Sequence, residues 1–124
     1  MDYDFVVVGA GPVGGLLAKR LCDGGATVLI LEEHAQIGRP FQCAGLVNPE
    51  AMEIVELHDT VLTSIWGARI HGPGGTLVEI GTPERTRTWS VCRKLFDEAI
   101  VAQAISAGSS IMLNSKPIKT SISE

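Results

Sequence analysis

The apolar positions of the chain follow two different periods, and the changes between them divide it into segments. The run "FVVVGAG" (5–11) is continuously apolar, β-branched and closed by glycines, which predicts a buried parallel strand. In "PVGGLLAKRLCDGG", Leu17, Ala18 and Leu21 stand at helical spacing, and the helix is expected to stop at Gly24-Gly25. "TVLILE" (27–32) predicts a second buried strand, so that 4–32 reads as one strand-helix-strand unit. A loop and a short helix are expected over 33–60, the helix in "PEAMEIVEL" (49–57) with Pro49 in its first turn. The pattern then shortens: "ARIH", "TLVEI" and "TRTWSV", separated by "GPGG" and "GTPER", predict an antiparallel meander over 61–92. Helical period returns in "RKLFDEAIVAQAISAG" (93–108), with Phe96, Ile100 and Ala104 on one stripe and Gly108 as cap, and "SIMLN" (110–114) predicts a third parallel strand. The fold class is α/β, a Rossmann-like parallel sheet with an inserted antiparallel β-meander.

Composition narrows the possible partners. With 124 residues, 45% hydrophobic and 19% charged, the chain has material for one globular core. A net charge of −4 gives no basic footprint for a phosphate backbone, so nucleic acid is not an expected partner. Cys22, Cys43 and Cys92 are widely spaced, without a CxxC pair, and His34, His58 and His71 share no metal-ligand or triad spacing; reduced thiols and no metal are expected. The start Met-Asp-Tyr-Asp lacks the basic region of a signal peptide, and no apolar run reaches the length of a membrane span, so a cytoplasmic location is expected. The segment "PEAMEIVELHD" is acidic and suits an anionic membrane surface poorly.

The candidate chemistry lies where the first strand meets the first helix. Gly9-Ala10-Gly11-Pro12-Val13-Gly14 is G-x-G-x-x-G in the context that gives the motif meaning, directly after a strand and opening a helix. Gly9 permits the tight turn, Gly11 lets main chain approach a diphosphate, and Gly14 lets helix and strand pack closely. The helix start then presents its N–H groups and positive end to an anion, and Pro12, with no N–H to give, fits the first turn. Glu32 ends the second strand, where a carboxylate can accept from the hydroxyls of an adenosine ribose. The plainer reading makes the glycines a mere turn and Glu32 a surface acid; strand, helix and spaced acid together favour nucleotide binding. Glu33 follows and neither Arg nor Lys stands at the strand end, so a 2′-phosphate would be repelled and NADP is disfavoured, while NAD and FAD both remain. The segment after the acid, a Gly/Pro/Cys loop, a short helix and the meander, is more than an NAD unit requires and suggests a flavoprotein.

"GAGPVGG", the strand-terminal Glu32, "IGRPFQCAGLV" and "CRKLFDEAIVAQAISAG" together resemble the amino-terminal part of the geranylgeranyl reductases, a family similar in fold to p-hydroxybenzoate hydroxylase. The resemblance runs from Tyr3 to about Pro117, with "G-x-P-x-x-C" and "R-x-x-F-D" its more specific elements. It implies FAD as cofactor, with the ribose on Glu32 and the diphosphate over Gly11, Pro12, Val13 and Gly14. It further implies that main chain at Cys43, Ala44 and Gly45 approaches the flavin, that Arg93 contacts the cofactor and that the chain near Pro117 passes the adenine. Many members have one residue more between the cysteine and the glycine that follows. Family members are about three times as long, more than one ordinary domain, so the chain is expected to be the amino-terminal piece of a longer enzyme, without its substrate domain. Its third parallel strand would then present an open edge.

Two residues invite argument without the family. Arg93 and Lys94 open a helix, the end that already carries partial positive charge, and cations there cost roughly 0.3–1 kcal/mol each unless an anion compensates. A diphosphate would do so, as would Asp97 and Glu98 in the same turn. Cys43, between flexible turns, is a candidate for a role beside the flavin, whereas Cys22 and Cys92 read as small buried residues. Trp66 and Trp89 bracket the meander and are expected to pack its faces. The implied activity is reduction of prenyl double bonds in isoprenoid lipids, with an external electron donor and peripheral membrane contact through the substrate. The alternatives are an FAD-dependent aromatic hydroxylase or quinone-linked dehydrogenase, and a stand-alone nucleotide-binding module.

Overall fold

The computed structural model describes residues 2–123. In chain order its elements are β1 (Phe5–Val8), α1 (Pro12–Asp23), β2 (Val28–Leu31), β3 (Leu46–Val47), α2 (Pro49–Val55), a 3-10 turn at His58–Thr60, β4 (Val61–Ile65), β5 (Gly67–His71), β6 (Leu77–Gly81), β7 (Thr88–Val91), α3 (Arg93–Ser106) and β8 (Ser110–Met112). The chain forms two units: one comprises everything up to Gln42 together with the chain from Lys94 onward, the other Cys43–Arg93.

The first unit is the parallel one. Its sheet has the order β1-β2-β8, with Val7 opposite Ile30 and Ile30 opposite Ile111. Because side chains alternate across a strand, Val7, Val28 and Ile30 share one face, and they pack with Ala18 of α1 and with Val101 and Ala104 of α3. The predicted stripe of α3 is observed, with Phe96, Ile100 and Ala104 all buried and Gly108 at φ +115° after the helix. Asp4 and Thr27 pin the starts of β1 and β2: the Thr27 hydroxyl and N–H both donate to the Asp4 carboxylate at 2.8 Å.

Two expectations for this unit need correction. On α1 the buried positions are Gly15 and Ala18, whereas Leu17 is exposed. The reason is closeness: a Cβ on Gly15 would stand 2.7 Å from Ile100 Cγ2, so α1 meets α3 along its smallest side chains. The unbroken apolar runs predict buried strands, yet Val6, Val8 and Met112 on the second face are exposed. Among the described residues the helices of this unit cover one face only.

The second unit is antiparallel, but it is not a single meander. β7 lies between β3 and β4, with Trp89 opposite both Val47 and Ser64, while β5 and β6 form a separate hairpin. The β5–β6 ladder ends at the pair Gly67 and Gly81, where a Cβ on either would come within 2.2 Å of the Ile80 or Trp66 carbonyl oxygen. Main chain approaches main chain there, and "TRTWSV" pairs with the earlier strand β4 instead of with β6. Strands β3 and β4 have no strong sequence signal, one being only two residues long and the other largely exposed. Met52, Val55, Leu57 and Val91 are buried, and α2 is capped by Asn48, whose side chain accepts the Ala51 N–H at 2.9 Å. Trp89 packs edge-on against His58 at 5.3 Å, whereas Trp66 is exposed.

Candidate dinucleotide site

The glycine turn has the form that its motif predicts. Gly9 takes φ +98°, a conformation costly for residues with a Cβ, and donates its N–H to the Leu31 carbonyl at 2.7 Å. Gly14 is where α1 presses on β1: a Cβ there would lie 2.1 Å from the Gly9 carbonyl oxygen. Gly11 is the N-cap of α1 and offers no side-chain cap, and a Cβ on Gly9 or Gly11 would meet no atom within 4 Å. The first in-helix bond is Gly15 N–H to the Gly11 carbonyl at 2.9 Å, so the N–H groups of Val13 and Gly14 precede it. There is no acid in the first turn to neutralise the helix end. A bare cradle with orphan donors, a positive dipole end and open space suits a diphosphate.

Glu32 is nearly buried, its side chain 12% exposed. One oxygen, Oε2, accepts the Ala10 N–H at 2.8 Å; the other, Oε1, accepts the His34 N–H at 2.9 Å and lies 2.6 Å from His34 Nδ1. Burial pushes this carboxyl up, but the donors from Ala10 and His34 together outweigh it and hold it below the ordinary glutamate value. It is therefore ionised at neutral pH. A carboxylate has about four lone-pair sites, so the three bonds described leave room for a hydroxyl.

The chain leaving β8 runs alongside this acid. Ser115 N–H donates to the Glu32 carbonyl at 2.8 Å, Asn114 N–H to the His34 carbonyl at 3.1 Å, and Lys116 pairs with Glu33 at 2.7 Å. Hydrogen bonding and charge from Lys116 hold the Glu33 carboxyl low, and Glu33 in return raises the Lys116 ammonium. A cation thus does reach the end of β2, on an ion pair joining positions 83 apart, for which the sequence carries no local signal. Pro117 follows it and is exposed.

The remaining candidates belong to the second unit. Cys43 and Ala44 are exposed, while Gly45 is buried at φ +74°. A Cβ on Gly45 would sit 2.6 Å from the Val91 carbonyl oxygen and 3.0 Å from Arg93 Cγ, so Gly45 and Arg93 are neighbours. Lys94 pairs with Glu98 one helical turn on at 2.6 Å, which accounts for one of the two cations at the start of α3. Three residues have no site role on sequence grounds: Gly15, readable in principle from its place one turn into the helix, His34, which stands two positions from Glu32 and within local reach of it, and Lys116, which tertiary contact alone reveals.

Comparison with known proteins agrees with this geometry. A family model described as FAD binding domain matches residues 2–61. The digeranylgeranylglycerophospholipid reductase of Methanosarcina acetivorans is 34% identical over 118 residues, which cover 92% of this chain and 29% of that protein. The geranylgeranyl bacteriochlorophyll reductase-like protein of Thermoplasma acidophilum superposes with a TM-score of 0.81 at 24% identity, over 90% of this chain and 30% of that one. The FAD-dependent halogenase CndH, a myxobacterial protein, follows with a TM-score of 0.72 at 20% identity, over 90% of this chain and 28% of its own; these two likenesses show the fold. The chain thus matches an FAD binding domain over residues 2–61 and is similar, across 92% of its length, to digeranylgeranylglycerophospholipid reductase, of which it spans 29%.

Proposed function

We propose that the chain is the cofactor-binding part of an FAD-dependent oxidoreductase that reduces prenyl double bonds of isoprenoid lipids. The observation that carries this is the bare glycine cradle beside a braced, ionised Glu32, joined to the similarity with reductases of that name. In this reading Gly9, Gly11, Pro12, Val13 and Gly14 hold the diphosphate by main-chain donors and helix charge, and Glu32 accepts from the ribose. Cys43, Ala44 and Gly45 are proposed to meet the flavin, Arg93 the cofactor and Pro117 the adenine, as the family resemblance implies. FAD, when bound and reduced, supplies hydride; this chain's part is to bind and orient it.

The lipid substrate, electron donor and membrane contact are part of the same proposal. Among the described residues no helix is long and apolar enough to cross a membrane; the proposed contact with lipid is made through the substrate. Expression of the whole reading frame in which the sequence lies tests the reading. Flavin absorbance and saturation of digeranylgeranyl lipid are expected; a colourless protein that takes up no FAD would overturn it.

A further inference from the structure

We propose that His34 is a positioning residue for ribose recognition: by donating twice to Glu32 Oε1, it fixes the carboxylate so that Oε2 is the oxygen left to take a ribose hydroxyl. The inference rests on the FAD reading above and goes beyond it, since neither the glycine motif nor the strand-terminal acid calls for a histidine at this place.

Geometry carries the argument. Glu32 Oε1 has two donors from one residue, the His34 N–H at 2.9 Å and Nδ1 at 2.6 Å. An ionised carboxylate only accepts, so a ring nitrogen at that distance must carry its proton; the Nδ1–H form of the imidazole is therefore the one present. Oε2, by contrast, has the single Ala10 N–H. The His34 carbonyl is itself anchored by Asn114 N–H at 3.1 Å, so the ring stands on main chain fixed to the exit of β8. The charged groups beside the ring are Glu32, Glu33 and, on Glu33, Lys116. Loss of the imidazole would leave each oxygen a single main-chain donor, Ala10 N–H on Oε2 and His34 N–H on Oε1, and so loosen the carboxylate, whose orientation ligand binding would then have to tighten.

The test is titration of the whole protein, expressed from the reading frame in which the sequence lies and freed of flavin, with ADP and with 2′,3′-dideoxy-ADP, followed by NMR, for wild type, His34→Ala and His34→Asn. Asparagine offers an N–H donor at the same distance along the side chain. His34→Ala is expected to weaken ADP about tenfold, the equivalent of one hydrogen bond to a charged group, to leave the dideoxy analogue unchanged, and to be largely rescued by His34→Asn. Equal weakening of both ligands, or no weakening of either, overturns the inference while leaving the FAD reading intact. A wild-type whole protein that binds neither ligand overturns the FAD reading itself. Should His34→Ala fail to fold, imidazole 15N shifts of the wild-type chain decide: Nδ1 must be protonated at neutral pH and must respond to ADP and not to the dideoxy analogue, and any other result overturns the inference.

Discussion

Glu32 receives the Ala10 N–H on Oε2 at 2.8 Å, so the acid that ends β2 also braces the glycine turn that ends β1. If the cofactor lies where we propose, ribose recognition and the shape of the glycine turn share one carboxylate. Glu32→Ala leaves the donors of Ala10 and His34 without their acceptor and is expected to cost about 1–3 kcal/mol, read as a lower urea midpoint with an unchanged slope.

The same carboxylate sets part of the acid limit. Its folded pKa lies below the ordinary value of 4.5, so its contribution is complete above that value and is lost as pH falls through the folded one. Stability against pH should therefore decline on the acid side of 4.5, and Glu32→Gln should make that decline shallower. A residual slope belongs to Asp4, held low by its bonds from Thr27, and to Glu33, held low by Lys116.

Gly14 and Gly15 are adjacent but resist substitution for different reasons. A methyl at Gly14 strikes the Gly9 carbonyl oxygen at 2.1 Å, main chain that cannot turn aside, whereas one at Gly15 strikes Ile100 Cγ2 at 2.7 Å. Each alanine is expected to cost about 1–3 kcal/mol or more. Ile100→Leu removes the offending methyl branch, so Gly15→Ala combined with Ile100→Leu should be less destabilised than the sum of the single changes, while Gly14→Ala with Ile100→Leu should be additive.

Gly45 combines φ +74° with a Cβ position 2.6 Å from the Val91 carbonyl oxygen. Left-handed backbone alone costs a substituted residue about 1–2 kcal/mol, and the contact adds to it. Gly45→Ala should loosen Val91, whose N–H bonds the Gly45 carbonyl at 2.8 Å, and faster hydrogen exchange at Val91 is the measurement that checks it.

Cys43 is exposed whereas Cys22 and Cys92 are partly buried. A thiol reagent should label Cys43 first in the native chain, with the other two following only as the chain unfolds. If the cofactor lies where we propose, saturating FAD slows labelling of Cys43 and leaves Cys22 unaffected.

Elements whose stabilising contacts repeat at a local period were legible before the structure. The parallel strands show as unbroken apolar runs and the Phe96–Ile100–Ala104 stripe as a period of 3.6, both written into the chain by burial, while the glycine turn shows as residues that its backbone geometry demands. Leu17 misled because apolar character ranked it above Gly15, although closeness between α1 and α3 favours the smaller side chain. "TRTWSV" was recognised as a strand but given the wrong neighbour: which strand it joins depends on hydrogen bonds that any extended segment can make, and Gly67 with Gly81 ends the competing ladder.

The candidate site divides the same way. By itself the sequence determined the cradle and its acid, because φ > 0 and close main-chain approach demand glycine at particular positions and a strand end presents its last side chain at the turn. His34, two positions on, grips Glu32 locally; tertiary structure alone decided that Glu32 would be shared with Ala10 and that Lys116 would reach Glu33 across 83 positions. Such contacts join groups brought together by the packing of β1, β2 and β8, and no local spacing can encode a meeting that exists only once the sheet has formed.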